Sequence, residues 1–171
     1  HALKIKKHIE CLTIRPLLKV ILNFEHPFWG TCEGLVPTDL EVAQVWYPSS
    51  RRAENEPQSN VLVASYRWAD LAAEWMDIPD HKLLDICLDC LSKLHNTSVQ
   101  HLRSILKDTR IVKWREAYTL FERDKFDTLY SMIDDHHDLT RIHFAGEHMS
   151  LLHGWMVSSV LPAQHVANQI V

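Results

Sequence analysis

Residues 141–156 constrain this chain more than any other stretch. Arg141-Ile-His-Phe-Ala-Gly146-Glu147-His148-Met-Ser-Leu-Leu-His153-Gly154-Trp155-Met156 holds two of the four glycines among 171 residues. Ile142 and Phe144 alternate as in a short buried strand, and the pattern breaks at Gly146. Gly154-Trp155 then opens an apolar run that predicts a helix over residues 155–171. A strand that stops at glycine and feeds a helix leaves backbone N–H groups at the helix start, where the dipole favours anions. Trp155 adds a flat face. These features suit a planar, phosphate-bearing cofactor. On these features alone an ordinary strand–turn–helix of an α/β domain is the simpler account.

Composition narrows the class. Hydrophobic residues make up 46% of the chain, enough for one sizeable core. A net charge of −4 argues against a nucleic-acid or polyanion partner. No apolar run approaches the roughly 18 residues of a membrane span. The chain starts at His1 without Met, so a processed or partial polypeptide is expected. Cys11, Cys32, Cys87 and Cys90 make no disulfide framework. Cys87-Leu-Asp-Cys90 has redox or zinc spacing, but it lies on a helical apolar pattern with no second ligand pair, so both thiols are expected in the core and no metal site. His136-His137 reads as a helix end rather than a metal cluster. No G-x-S-x-G elbow offers a nucleophile.

In chain order, Leu17–Phe24 reads as a buried strand with Lys19 inside it, and such a lysine commonly snorkels out at an edge. Residues 42–47 and 61–68 read as further strands, with a short helix over 70–75. Pro79-Asp80 begins a helix to about His95, with Asp80 as a capping candidate. A second amphipathic stretch covers 98–106, a short strand 110–114, and a helix 124–137. Pro162 should kink or interrupt the last helix.

Four segments carry a resemblance. FAGEH followed by HGWM, Lys19-Val-Ile-Leu-Asn-Phe24-Glu-His-Pro27-Phe28-Trp29, Ala64-Ser65-Tyr66, and Lys113-Trp114 resemble motifs of the flavin amine oxidases, the family of L-amino-acid, monoamine and polyamine oxidases. The likeness covers roughly residues 12–171. It implies FAD, with Gly146 and Glu147 beside the pyrophosphate and ribityl chain, Trp155 packed at the flavin, and the Met156 N–H at its pyrimidine edge. Trp114 would be a further cofactor contact. Lys19 would face flavin N5 through a water, as the catalytic group. Gly154 and Trp155 would border the substrate amino group, and Tyr66 would bind a substrate carboxylate. Lys19 and the 146–156 segment would meet one isoalloxazine ring.

The same resemblance implies a mixed α/β fold, the C-terminal portion of a two-domain oxidase. Residues of about 12–137 would be mainly substrate domain, and about 138–171 the end of the FAD-binding domain. The G-x-G-x-x-G fingerprint is absent, so a complementary N-terminal chain of the same oxidase is expected as partner, in a higher oligomer. After Trp114 the family usually shows a glycine-rich turn, whereas this chain has Arg115-Glu-Ala-Tyr118-Thr-Leu-Phe121. Oxidative deamination of an L-amino acid by O2 is the expected activity. Monoamine or polyamine oxidation, amino-acid monooxygenation, and a non-catalytic interaction subunit are the alternatives.

Overall fold

The computed structural model describes residues 6, 9–49, 59–121, 125, 127 and 143–170. The chain divides into two compact units, one of Pro16–Arg115 and one of His1–Arg15 with Glu116–Val171. The fold is mixed: helices accompany a five-stranded sheet, as the α/β expectation requires. Its strands are β1 (Leu12–Phe24), β2 (Gly34–Pro37), β3 (Gln44–Tyr47), β4 (Val61–Trp68) and β5 (Leu106–Phe121). They lie in the order β2-β3-β4-β1-β5. The pairs β1–β4, β2–β3 and β3–β4 are antiparallel. Among the described residues three helices belong to the Pro16–Arg115 unit: α1 (Ala69–Trp75), α2 (Asp80–Leu94) and α3 (Val99–Ile105).

Side-chain alternation sets the two faces of this sheet. Leu18, Val20, Leu22 and Phe24 of β1 are buried, together with Leu62 and Ala64 of β4 and Val45 and Tyr47 of β3. They form one core with Leu83, Cys87, Leu88 and Leu91 of α2 and Leu102 of α3. The opposite face carries the intervening residues, Lys19 among them.

A bulge in β4 breaks the alternation. Val20 pairs with Ser65, yet Ile21 pairs with Val63, so Ala64 is the extra residue. Ala64 and Ser65 are consecutively buried, and the Ser65 hydroxyl is satisfied by the Val42 carbonyl at 2.9 Å. Beyond the bulge the phase is reversed. Val63 and Tyr66, three positions apart, thereby share the face that Lys19 occupies.

Arg67 points the other way and is only 3% exposed. Its guanidinium donates to the Leu71 carbonyl at 2.6 Å, to the Glu41 carbonyl and to the Glu74 carboxylate at 2.8 Å, and lies 4.1 Å over Trp75. Burial lowers its pKa while Glu74 raises it. A buried cation is tolerable only when its donors are matched in this way.

The Phe24–Trp29 part of the Lys19 segment is structural. Phe24 and Phe28 meet edge to face at 4.9 Å, as do Phe28 and Trp29 at 5.2 Å. His95 joins them, 2.7 Å from the Tyr47 hydroxyl. Burial lowers the pKa of His95.

Several expectations are corrected. Asp80 does not cap: Pro79 is the N-cap of α2, and Asp80 instead pairs with Lys113 at 2.9 Å. The short strand at 110–114 is the middle of β5, which continues through Phe121. With no glycine to break it, and with Tyr118, Thr119 and Phe121 suited to extended backbone, the strand runs on. No strand forms over the described residues His143–Ala145. The final helix, α4, spans Val157–Ile170 and starts after Trp155 and Met156; its assignment is unbroken at Pro162. The expected helix over 124–137, with His136 and His137, falls almost wholly outside the described residues.

Cys87 and Cys90 are buried free thiols, as their apolar helix pattern predicts. Burial pushes both above the ordinary thiol value. Among the described residues no group of side chains could hold a metal, and no helix is long and apolar enough to cross a membrane.

Candidate functional site

Lys19 is the first focus. It stands directly opposite Tyr66 in the β1–β4 pair. Its ammonium lies 4.4 Å from the Tyr66 ring centre and 5.9 Å from that of Trp114. No carboxylate or hydrogen-bond acceptor among the described residues is paired with it. A half-buried ammonium held only over ring faces gains roughly 0.5–2 kcal/mol from them, and its three donors remain available. Tyr66 also touches Trp68 at 4.8 Å and stacks on Trp46 at 6.5 Å with 17° between planes. The sequence points to Lys19, Tyr66 and Trp114, and the fold gathers all three. Trp46 escapes such a reading, although its exposed position between buried Val45 and Tyr47 is the available signal.

The second focus lies in the unit containing Glu116–Val171. Gly146 has φ +145, and a Cβ there would stand 2.8 Å from the His148 ring. The positive φ therefore favours glycine, and a Cβ would also make the His148 ring shift. A one-turn 3-10 helix, Glu147–Met149, comes next. Met149 is buried against Phe121 and Phe144, which anchors the turn.

Glu147 braces this segment. Its carboxylate accepts from the Thr119 N–H at 2.6 Å, the Thr119 hydroxyl at 3.1 Å and the Gly154 N–H at 3.0 Å. Partial burial opposes its charge, but the two N–H groups, the Thr119 hydroxyl and His153 outweigh that and hold its pKa below the ordinary value. His153 sits between the Thr119 carbonyl, 2.5 Å from Nδ1, and the Ser150 carbonyl, 2.8 Å from Nε2. Its ring meets Phe121 edge to face at 4.0 Å. Thr119 is invisible as a partner in the sequence, being 28 residues from Glu147.

The braced turn leaves the next two residues open to solvent. Trp155 is 70% exposed and Met156 89%. The Met156 N–H has no acceptor among the described residues, and α4 begins one residue later. An open indole, a free N–H and a helix start are the parts a flavin edge and phosphate need. By themselves these residues of the Glu116–Val171 unit fit the edge of a planar, phosphate-bearing group such as a flavin.

Each unit thus carries features of its own, an aromatic-flanked lysine on a sheet face in one and a braced Gly-Glu…Gly-Trp turn before a helix in the other. The family model described as flavin containing amine oxidoreductase matches residues 3–171. The chain belongs to that family. It is 29% identical over 169 residues to L-amino-acid oxidase 4 of Hebeloma cylindrosporum, covering 85% of this chain and 27% of that protein. It is 30% identical over 159 residues to the L-amino-acid oxidase of Siganus canaliculatus, covering 89% and 29%. To the putative L-amino-acid oxidase YobN of Bacillus subtilis it is 30% identical over 161 residues, covering 89% and 32%. The chain thus spans about three-tenths of the length of these relatives.

Proposed function

We propose that this chain is part of an FAD-dependent L-amino-acid oxidase. The observation that carries the reading is the Lys19 ammonium beside Tyr66, with no acidic partner among the described residues, in a chain similar to L-amino-acid oxidases over most of its length. Bound FAD would supply the electron acceptor, taking a hydride equivalent from the substrate Cα and passing the pair to O2 to give H2O2. The imine released from the substrate then adds water and yields the 2-oxo acid and ammonia.

Lys19 supplies a fixed positive charge and a donor for one water, which favours negative charge developing nearby. Tyr66 takes the substrate carboxylate through its hydroxyl, and Trp114 lies beside Lys19 as a cofactor contact. Gly146, Glu147 and the Met156 N–H hold the pyrophosphate, ribityl and pyrimidine groups. Trp155 offers its indole to the ring, and Gly154 leaves room for the substrate amine. No strong base is needed when the amine binds neutral. Because β5 runs straight where the family commonly turns at glycine, the pocket wall differs from the family pattern. The substrate is therefore assigned only as an L-α-amino acid.

FAD also has an adenosine end, and no G-x-G-x-x-G exists in these 171 residues to seat it. A complementary polypeptide segment carrying that motif completes the cofactor site. The exposed Leu151, Leu152, Val160 and Leu161 support this, since solvated segments seldom keep such residues bare together. The test is product analysis of the assembled protein with L-amino acids in air. Equal yields of 2-oxo acid, ammonia and H2O2 are expected. An amide product in place of ammonia would replace the oxidase reading with a monooxygenase.

A further inference from the structure

We propose that Trp46 is a positioning residue that fixes the Tyr66 phenol for substrate carboxylate binding. The inference rests on the oxidase reading above and assigns a role to a residue outside it.

The strand pairing is the starting point. Trp46 is directly opposite Val63 in the β3–β4 pair, so the two share a face. The bulge at Ala64 then brings Tyr66 to that face as well. Trp46 is consequently able to stack on Tyr66, at 6.5 Å and 17°. The same strand grips Tyr66 a second time: the Gln44 side-chain amide donates to its backbone carbonyl at 2.5 Å. Gln44 and Trp46 are two positions apart on β3, which puts both on the Tyr66 side. One secures the Tyr66 backbone and the other its ring.

Packing alone does not explain Trp46. It is 44% exposed, whereas its neighbours Val45 and Tyr47 lie in the core. Its main ordered ring contact is Tyr66, whose ring also faces Lys19. A stacked partner limits rotation of the phenol and keeps its hydroxyl aimed, which lowers the entropy lost when a carboxylate binds.

The experiment uses the assembled, flavin-bound oxidase carrying Trp46→Ala, Trp46→Phe, Tyr66→Phe, or Trp46→Ala with Tyr66→Phe. Trp46→Leu, which keeps bulk without an aromatic face, stands in if Trp46→Ala does not fold. Dissociation constants for 3-phenylpropanoate and its neutral amide are read from perturbation of the flavin spectrum, alongside KM and kcat for an L-amino acid. Trp46→Ala should weaken the carboxylate relative to the amide by about three- to tenfold, the range of an aromatic pair. The loss should fall on KM more than on kcat. Trp46→Phe should retain most of the preference, and Trp46→Ala should add nothing once Tyr66 is Phe. An unchanged carboxylate-to-amide ratio in Trp46→Ala, with a changed one in Tyr66→Phe, overturns the role of Trp46 alone. So does an effect of Trp46→Ala that persists in the double variant. An unchanged ratio in Tyr66→Phe removes the carboxylate role of Tyr66 itself, and the positioning role with it.

Discussion

Lys19 and Tyr66 face each other across the β1–β4 pair, with the ammonium 4.4 Å from the centre of the phenol ring. The contact exists because β4 gains one residue at Ala64, which turns Tyr66 to the lysine's face. Lys19 has no acidic partner there among the described residues, so its charge serves whatever occupies that face.

Replacing Lys19 with Met should therefore separate function from stability. Flavin reoxidation by O2 should slow by roughly a hundredfold, the scale of one preorganised electrostatic donor. The melting temperature should hold or rise, because no ion pair is broken and a half-buried charge is removed. Stopped-flow reoxidation and a thermal melt of the same preparation check both halves. A large stability loss with normal reoxidation would make Lys19 structural.

Glu147 should behave in the opposite manner. Glu147→Ala removes the acceptor of the part-buried Thr119 N–H and of the exposed Gly154 N–H, costing about 0.5–1.5 kcal/mol per bond. Amide hydrogen exchange at Gly154 should quicken, and FAD affinity should fall. Because its folded pKa lies below the unfolded value, its contribution is present above the ordinary carboxyl range. The contribution is lost as pH falls through the folded pKa. Exchange measured across that range in wild type and Glu147→Ala should converge at the acid end.

His95 sets a second pH dependence, at higher pH. Its ring is hydrogen-bonded to the Tyr47 hydroxyl, and its folded pKa is lowered by burial. The unfolded chain binds the proton more readily, so stability is full above about pH 6.5 and declines below it toward the folded pKa. Denaturant unfolding between roughly pH 5 and pH 8 should show this slope in wild type. His95→Gln should flatten it.

Arg67→Met tests the buried cation network. The Glu41 and Leu71 carbonyls lose their donor, so a cost of about 2–4 kcal/mol is expected from unmatched acceptors. Thermal unfolding of the assembled protein measures it. A neutral outcome would mean that water replaces the guanidinium.

Much of this is legible in the residues. The alternation of Leu18, Val20, Leu22 and Phe24 gives β1 its buried face and sets Lys19 on the other. The Leu83–Leu91 periodicity gives α2 and places Cys87 and Cys90 in the core. Three features are not legible, each for a physical reason. The Ala64 bulge depends on pairing with β1, and no local pattern records it. The length of β5 reflects the lack of a glycine at a place where the family pattern suggests a turn. The Glu147–Thr119 bonds join residues distant in sequence. Asp80 misleads because a capping residue type is taken by an ion pair with Lys113.

A visible spectrum of the purified assembly tests whether this chain completes a flavin site that oxidises amino acids. A flavin band at about 450 nm is expected. Anaerobic addition of an L-amino acid should bleach it, and air should restore it with release of H2O2. A folded, colourless assembly that added FAD does not turn yellow would exclude the oxidase and leave a non-catalytic interaction subunit.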